Sequence, residues 1–120
     1  GKISSASRLD YAEAAATVLS TKGHENKIYE LAGSTSFTLA DLASYIANAS
    51  GKALDYQNIS AEDYTQALTA AGLPSALINV IVDADIQTTK GAMFSDSKDL
   101  ERLIGRKTTP IQDQVTALFN

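Results

Sequence analysis

Apolar and polar residues follow one another along this chain mainly at helical spacing. Leu9, Ala12, Ala16 and Leu19 recur three or four residues apart, so a helix is predicted from Arg8 to Thr21, with Ser7 as N-cap and Gly23 as stop. The small alanines of that stripe suit close packing. Phe37-Thr38-Leu39-Ala40-Asp41-Leu42 has the form of a capping box, with Thr38 as cap, Asp41 reaching back and Phe37 stapled onto Leu42, and the helix it starts ends near Ser50-Gly51. Ile59-Ser60-Ala61-Glu62-Asp63-Tyr64 repeats the device for a helix that ends at Ala71-Gly72. Ser75 to Thr89 contains LINVIV, a strand by propensity. Its length and the apolar positions Leu77, Ile78, Ile81 and Ile86 favour a helix entered through Pro74. Two further helices are predicted: Ser97 to Ile104, stopped by Gly105, and Pro110 to Phe119, with Thr109 as cap and Gln112 completing a box. Lys2 to Ser5, Lys27 to Ala32 and Ala53 to Asn58 read as short strands. The longest loop, Gly91 to Asp96, is too short to separate domains, so residues 1 to 120 form one unit.

Composition narrows the function classes. Ten basic residues stand against fourteen acidic ones, a formal net charge of -4, and no basic stripe interleaved with aromatics appears, which argues against a nucleic-acid partner. With no cysteine and only one histidine, His24, neither a disulfide framework nor a zinc centre is expected. The apolar run around Val80 to Val82 is far too short to span a bilayer, so no membrane partner and a cytoplasmic setting are expected. The chain opens on Gly1-Lys2 rather than methionine, as a piece of a longer protein would. It contains no Gly-x-Gly-x-x-Gly after a strand, the arrangement that lets backbone approach a dinucleotide pyrophosphate.

The runs SRLDYAEAAATVL, KIYELAGS, FTLADLASYIANASGK, YQNISAEDYTQAL, AAGLP, KGAMFSDSKDLERLIGRKTTP and the terminal LFN resemble the C-terminal half of the type 2 NAD(P)H:quinone oxidoreductases. These lie within the NmrA-like, atypical short-chain dehydrogenase/reductase group, which also holds triphenylmethane reductase. The resemblance covers essentially every residue. It implies an α/β protein of which this chain is the helix-rich C-terminal, substrate-side portion with a few short strands, lacking the N-terminal Rossmann core. It further implies NADP or NAD bound mainly by that absent domain, a quinone-like acceptor, and a fragment inactive by itself. Strand edges left unpaired by the missing sheet would invite self-association.

Candidate chemistry is sparse. None of Tyr11, Tyr29, Tyr45, Tyr56 or Tyr64 has a lysine four residues on, so the proton-relay pair of ordinary short-chain dehydrogenases is absent and no catalytic residue is assigned. Ser5, Ser7 and Arg8 sit where a strand feeds a helix and are candidates to face the ligand cleft; Ser7 equally suits a cap, and Arg8 a pairing with Asp10 or solvent. Asp10 and Glu13 fit the helix dipole better than acid–base chemistry. Met93 and Phe94 are the apolar candidates for the wall of a flat acceptor's site, against a plain core role. Tyr56 and Tyr64 compete with them, Tyr64 being also the staple partner of Ile59. Gly33-Ser34-Thr35-Ser36 reads as a turn before a phosphate cradle, Asp83, Asp85, Asp96 and Asp99 as surface charges or caps, and His24 as a solvated turn residue. Three function classes stay open: the substrate side of a quinone reductase, an NmrA-like dinucleotide-sensing regulator without turnover, and a helical interaction module.

Overall fold

Local capping chemistry sets where the helices begin. In a computed structural model describing residues 1 to 120, six helices form: α1 Arg8–Ser20, α2 Leu39–Ser50, α3 Ala61–Ala70, α4 Ser75–Thr89, α5 Asp99–Ile104 and α6 Ile111–Leu118. Ser7 Oγ accepts the Asp10 N–H at 3.1 Å, and Thr38 and Asp41 close the full reciprocal box that starts α2. Ser60 caps α3 through the Asp63 N–H, but Asp63 does not reach back, so that box is half made. Gly51 and Gly105, both left-handed, end α2 and α5 as expected. The apolar run in α4 is helical, with Ile78 and Val82 as its buried positions. Thr109 is not the cap of α6: Pro110 holds that place, because the Thr109 N–H and hydroxyl are both directed at Asp10.

The three predicted strands do not become a sheet. Ile3 and Phe37 exchange backbone hydrogen bonds of 2.7 and 2.9 Å in an isolated antiparallel bridge, and nothing else in the chain pairs as β structure. Segments 27–32 and 53–58 run without a ladder, since propensity supplies no partner strand and an extended segment needs one. Ile28 is 97% exposed.

Helix packing is pairwise: α1 on α5, α2 on α6, α3 on α4. The apolar residues buried by this arrangement are few, namely Ala14, Ala32, Phe37, Ile78, Val82, Leu100 and Val115. The accessible surface is 8318 Å² for a mass of 12.7 kDa, against roughly 6200 Å² expected of a folded monomer of that size. The radius of gyration, 17.2 Å, likewise exceeds the roughly 14 Å of a compact chain of this length. Much apolar surface is therefore left uncovered by the chain itself. α1 shows where: its stripe of Leu9, Ala12, Ala16 and Leu19 is entirely exposed, and the opposite face, through Asp10 and Ala14, meets α5.

What holds the α1/α5 side is a buried polar cluster. Asp10, wholly inaccessible, receives Arg106 Nη2 at 2.7 Å, the Thr109 N–H at 2.7 Å and the Thr109 hydroxyl at 3.3 Å, while Arg106 also reaches Glu13 at 3.0 Å. Asp10 thus acts across the fold, beyond the helix-dipole role its position predicts. Burial pushes its carboxyl up, but the hydrogen bonds from Arg106 and Thr109 outweigh that and leave it below the usual carboxylate range. The same two carboxylates, Asp10 and Glu13, raise Arg106 further. Beside them Ser34 and Thr108 exchange N–H to hydroxyl bonds of 2.8 Å each way, and Lys98 Nζ donates to the Ser34 carbonyl at 2.9 Å. Glu30 is fixed at both backbone groups, by the Asp99 carboxylate and the Ser97 hydroxyl.

Candidate functional site

Two places in this fold collect the residues that chemistry would use. The first grows from the Ile3–Ser4 stretch, which draws three segments together. The Ser4 N–H donates to the Met93 carbonyl at 2.9 Å, Ser4 O accepts the Gly33 N–H at 2.8 Å, and Ser4 Oγ accepts the Ser95 N–H at 3.1 Å. Gly33 is needed here, because a Cβ on it would fall on the Ser5 carbonyl. The Gly33–Ser36 segment is thus a turn stitched into the fold, with the Ser34 N–H donating to Thr108 and its hydroxyl and carbonyl oxygens accepting from Thr108 and Lys98.

Around buried Ser4 the structure brings Ser5, Met93 and Phe94 to one edge, Met93 being 52% and Phe94 46% exposed. The other two predicted residues stand apart from that edge in role. Ser7 spends its hydroxyl on the α1 cap. Arg8 is exposed with no hydrogen bond or ion pair inside the chain, so the pairing with Asp10 is not made; Arg106 has taken that carboxylate.

The second place is a half-open cleft of about 580 Å³ between the starts of α2 and α3, segment 56–60, and the face of α4. Tyr56, Ile59, Tyr64, Leu39, Val82 and Ile86 provide its apolar and aromatic walls, and Asp85 is the only charged side chain lining it. Gly1 and Thr38 border it too, so the Gly1–Ser5 stretch runs from this cleft to the Met93 edge. The volume is that of a site for a small organic molecule. Neither the Tyr56 nor the Tyr64 hydroxyl has a hydrogen-bond partner within the chain, in contrast to Tyr29, whose hydroxyl meets His24 Nδ1 at 2.7 Å. His24 is itself half-buried and tied to Thr21 as well, which corrects the solvated turn expected of it. A shallower groove shares Leu39, Tyr56 and Gln57 with the cleft and continues along α2 past Leu42 and Ile46 to Leu54.

Sequence reading weighed Tyr56 and Tyr64 but missed Val82 and Ile86 as cleft residues, and it missed Asp10 and Arg106 as partners. The α4 residues were hidden in a run whose apolar positions do not announce which side is shared. Arg106 lies 96 residues from Asp10, beyond any local pattern. No group of three or more histidine, aspartate or glutamate side chains is placed to hold a metal ion, and no helix is long and apolar enough to cross a membrane.

No protein-family model matches the sequence. Individual proteins do. The chain is 49% identical over 120 residues to quinone oxidoreductase 2 of Escherichia coli (strain K12), spanning all of this chain and 42% of that protein. The crystal structure of the NADPH-dependent quinone oxidoreductase of Escherichia coli in complex with NADPH superposes with a TM-score of 0.93, again over all of this chain and 42% of the other. The Citrobacter sp. triphenylmethane reductase structure matches at 34% identity and a TM-score of 0.91, over 99% of this chain and 41% of that one. The chain thus spans less than half the length of the relatives it matches, and the resemblance read from its motifs is borne out: over its whole length it is a homologue of quinone oxidoreductase 2 and, more distantly, of triphenylmethane reductase.

Proposed function

We propose that this chain is the C-terminal, substrate-side portion of an enzyme that passes hydride from NADPH or NADH to a quinone. The observation that carries the reading is the likeness, without a gap in coverage, to an NADPH-dependent quinone oxidoreductase at 49% identity. The geometry agrees with it. A cleft with aromatic and apolar walls among polar side chains suits a flat carbonyl acceptor, and the large uncovered apolar surface suits a portion that rests on a bigger partner domain. On this reading the dinucleotide, NADP or NAD, is held mainly by an N-terminal Rossmann domain in the α/β manner, and the part described here supplies acceptor contacts. Hydride transfer then rests mainly on positioning the nicotinamide against the acceptor, and the one proton that completes the hydroquinone comes from water.

Within that frame Ser5, Met93 and Phe94 form an acceptor-side edge, Arg8 offers an exposed guanidinium with no partner in the chain, and Ser7 contributes by fixing the first turn of α1. The segments Lys2 to Ser5 and Ile28 to Leu31 would extend the larger sheet, and edges left without that sheet would pair with a second copy, except at Glu30, whose backbone groups Asp99 and Ser97 already take. A cytoplasmic setting and membership of the NmrA-like, atypical short-chain dehydrogenase/reductase group go with the same proposal. The test is the full-length protein assayed for oxidation of NADPH and NADH with a panel of quinones. Quinone-dependent consumption is expected, and its loss when residues 1–120 are assayed alone. Dinucleotide binding without acceptor-dependent consumption would replace this reading with a redox-sensing regulator.

A further inference from the structure

The cleft has a mixed lining, with Tyr56, Ile59 and Tyr64 beside Thr38, Gln57 and Asn58, whereas the groove that continues from it is mostly apolar, and this bears on which quinone fits. The cleft holds two phenol hydroxyls free of partners, and one carboxylate, Asp85, as its only charged side chain. The groove is shallow, about 270 Å³, and follows α2 from the shared Tyr56 and Leu39 past Leu42 and Ile46 to Leu54, which is 48% exposed; Asp55 is the one charged residue in an otherwise mostly apolar lining. A planar ring with carbonyl oxygens would lie against Tyr56, Ile59 and Tyr64, where the phenols can donate to those oxygens. A negatively charged acceptor would meet Asp85, so a neutral ring is favoured.

We infer that this cleft takes the ring of a neutral quinone while the α2 groove takes an alkyl side chain attached to it, so that the preferred acceptor is a quinone with an apolar tail. The inference rests on the reading of the chain as the acceptor side of a quinone reductase, and it makes Tyr64 and Leu54 specificity-determining residues. Each methylene buried in the groove contributes about 0.8 kcal/mol, close to fourfold in affinity, so even a partly seated tail gives a measurable preference.

The experiment uses the full-length protein, its Ile59→Trp, Tyr64→Phe and Leu54→Asp variants, and two probes that differ only in the tail: 2,3-dimethoxy-5-methyl-1,4-benzoquinone and its 6-decyl derivative. Wild type is expected to show a KM at least about tenfold lower for the decyl compound, as two to three buried methylenes give. Ile59→Trp fills the cleft and raises KM for both probes; Leu54→Asp raises it for the decyl compound alone; Tyr64→Phe lowers kcat/KM for both by roughly three- to tenfold, one hydrogen bond's worth. KM for NADPH stays unchanged throughout. Equal KM for the two probes, together with indifference of the decyl compound to Leu54→Asp, overturns the inference. Should wild type oxidise NADPH with neither quinone, the functional reading fails, and the cleft is tested separately by NMR of isoleucine methyls on adding the decyl probe. Shifts at Ile59 and Ile86 would support the site, and their absence would remove it.

Discussion

The α1/α5 side of this molecule and the α2/α3/α4 side are held by different means. On the first, side-chain hydrogen bonds span most of the chain: Arg106 and Thr109 to Asp10, Thr108 to Ser34, Ser97 to Glu30, Ser95 to Ser4. On the second, every side-chain hydrogen bond joins residues no more than four apart, as in the Thr38–Asp41 box or the Thr65 and Thr69 hydroxyls bonded back to their own helix. The polar cluster fixes its elements at single positions. The cleft side is built from separately capped helices around a gap of mixed lining, and that gap is where a ligand has room. Long-range anchoring on one side and an unfilled cleft on the other is a division that accords with the proposed acceptor site.

Substitutions can break this contrast, and the largest effect is expected at Asp10. Asp10→Ala removes a buried acceptor shared by Arg106 and Thr109 and should cost the full-length protein on the order of 2–3 kcal/mol, read as a lowered urea midpoint. Asp10→Asn, which keeps an acceptor, should cost less. The same carboxylate gives a pH dependence of definite sign. Its folded pKa lies below its ordinary 3.8, so its stabilising contribution is complete above that value. It is lost as pH falls through 3.8 toward the lowered folded value, and Asp10→Asn should flatten stability across that acidic range. A midpoint equally pH-dependent in both proteins would contradict this.

Gly33→Ala comes next. The added methyl meets the Ser5 carbonyl, and the expected cost is about 1–3 kcal/mol by overpacking, measured as a drop in Tm. Thr38→Ala follows at about 1 kcal/mol, the usual worth of an N-cap, and it should act on α2 alone, seen as faster amide exchange in that helix and no change near Asp10. Smallest is Tyr64→Phe, whose hydroxyl has no partner in the chain; a shift within about 0.5 kcal/mol in stability is expected, beside a measurable change in quinone kinetics. If Tyr64→Phe destabilised the fold as much as Thr38→Ala, the cleft would be part of the scaffold and the contrast would fail.

How much of this could be read from the sequence follows the range of the forces involved. Helix starts at Ser7, Thr38 and Ser60 and stops at Gly51 and Gly105 were visible because a cap is decided within four residues. Strands at 27–32 and 53–58 were not realised, because a strand is decided by its neighbour, and this chain offers one bridge only. The stripe of α1 was recognised as apolar, yet the face that meets α5 is the one bearing Asp10, a choice governed by Arg106 and Thr109 far along the chain. Of the candidate site, Ser5 and the Met93–Phe94 pair are brought near one another through the bonds of Ser4 to Met93 and Ser95, a long-range contact that neither the strand-to-helix junction nor the Gly91–Asp96 loop shows by itself. The cleft was half legible through Tyr56 and Tyr64; its α4 wall needed the three-dimensional pairing of α3 with α4.

The most direct test of the account is the initial rate of NADPH oxidation by the full-length protein, measured side by side for wild type and Ile59→Trp with the decyl quinone as acceptor. The account predicts turnover by wild type, and a KM for the quinone raised by about tenfold or more in the variant, as a filled pocket costing over 1.4 kcal/mol requires, with KM for NADPH unchanged. Quinone kinetics identical in the two proteins, or no quinone-dependent oxidation by either, would contradict it.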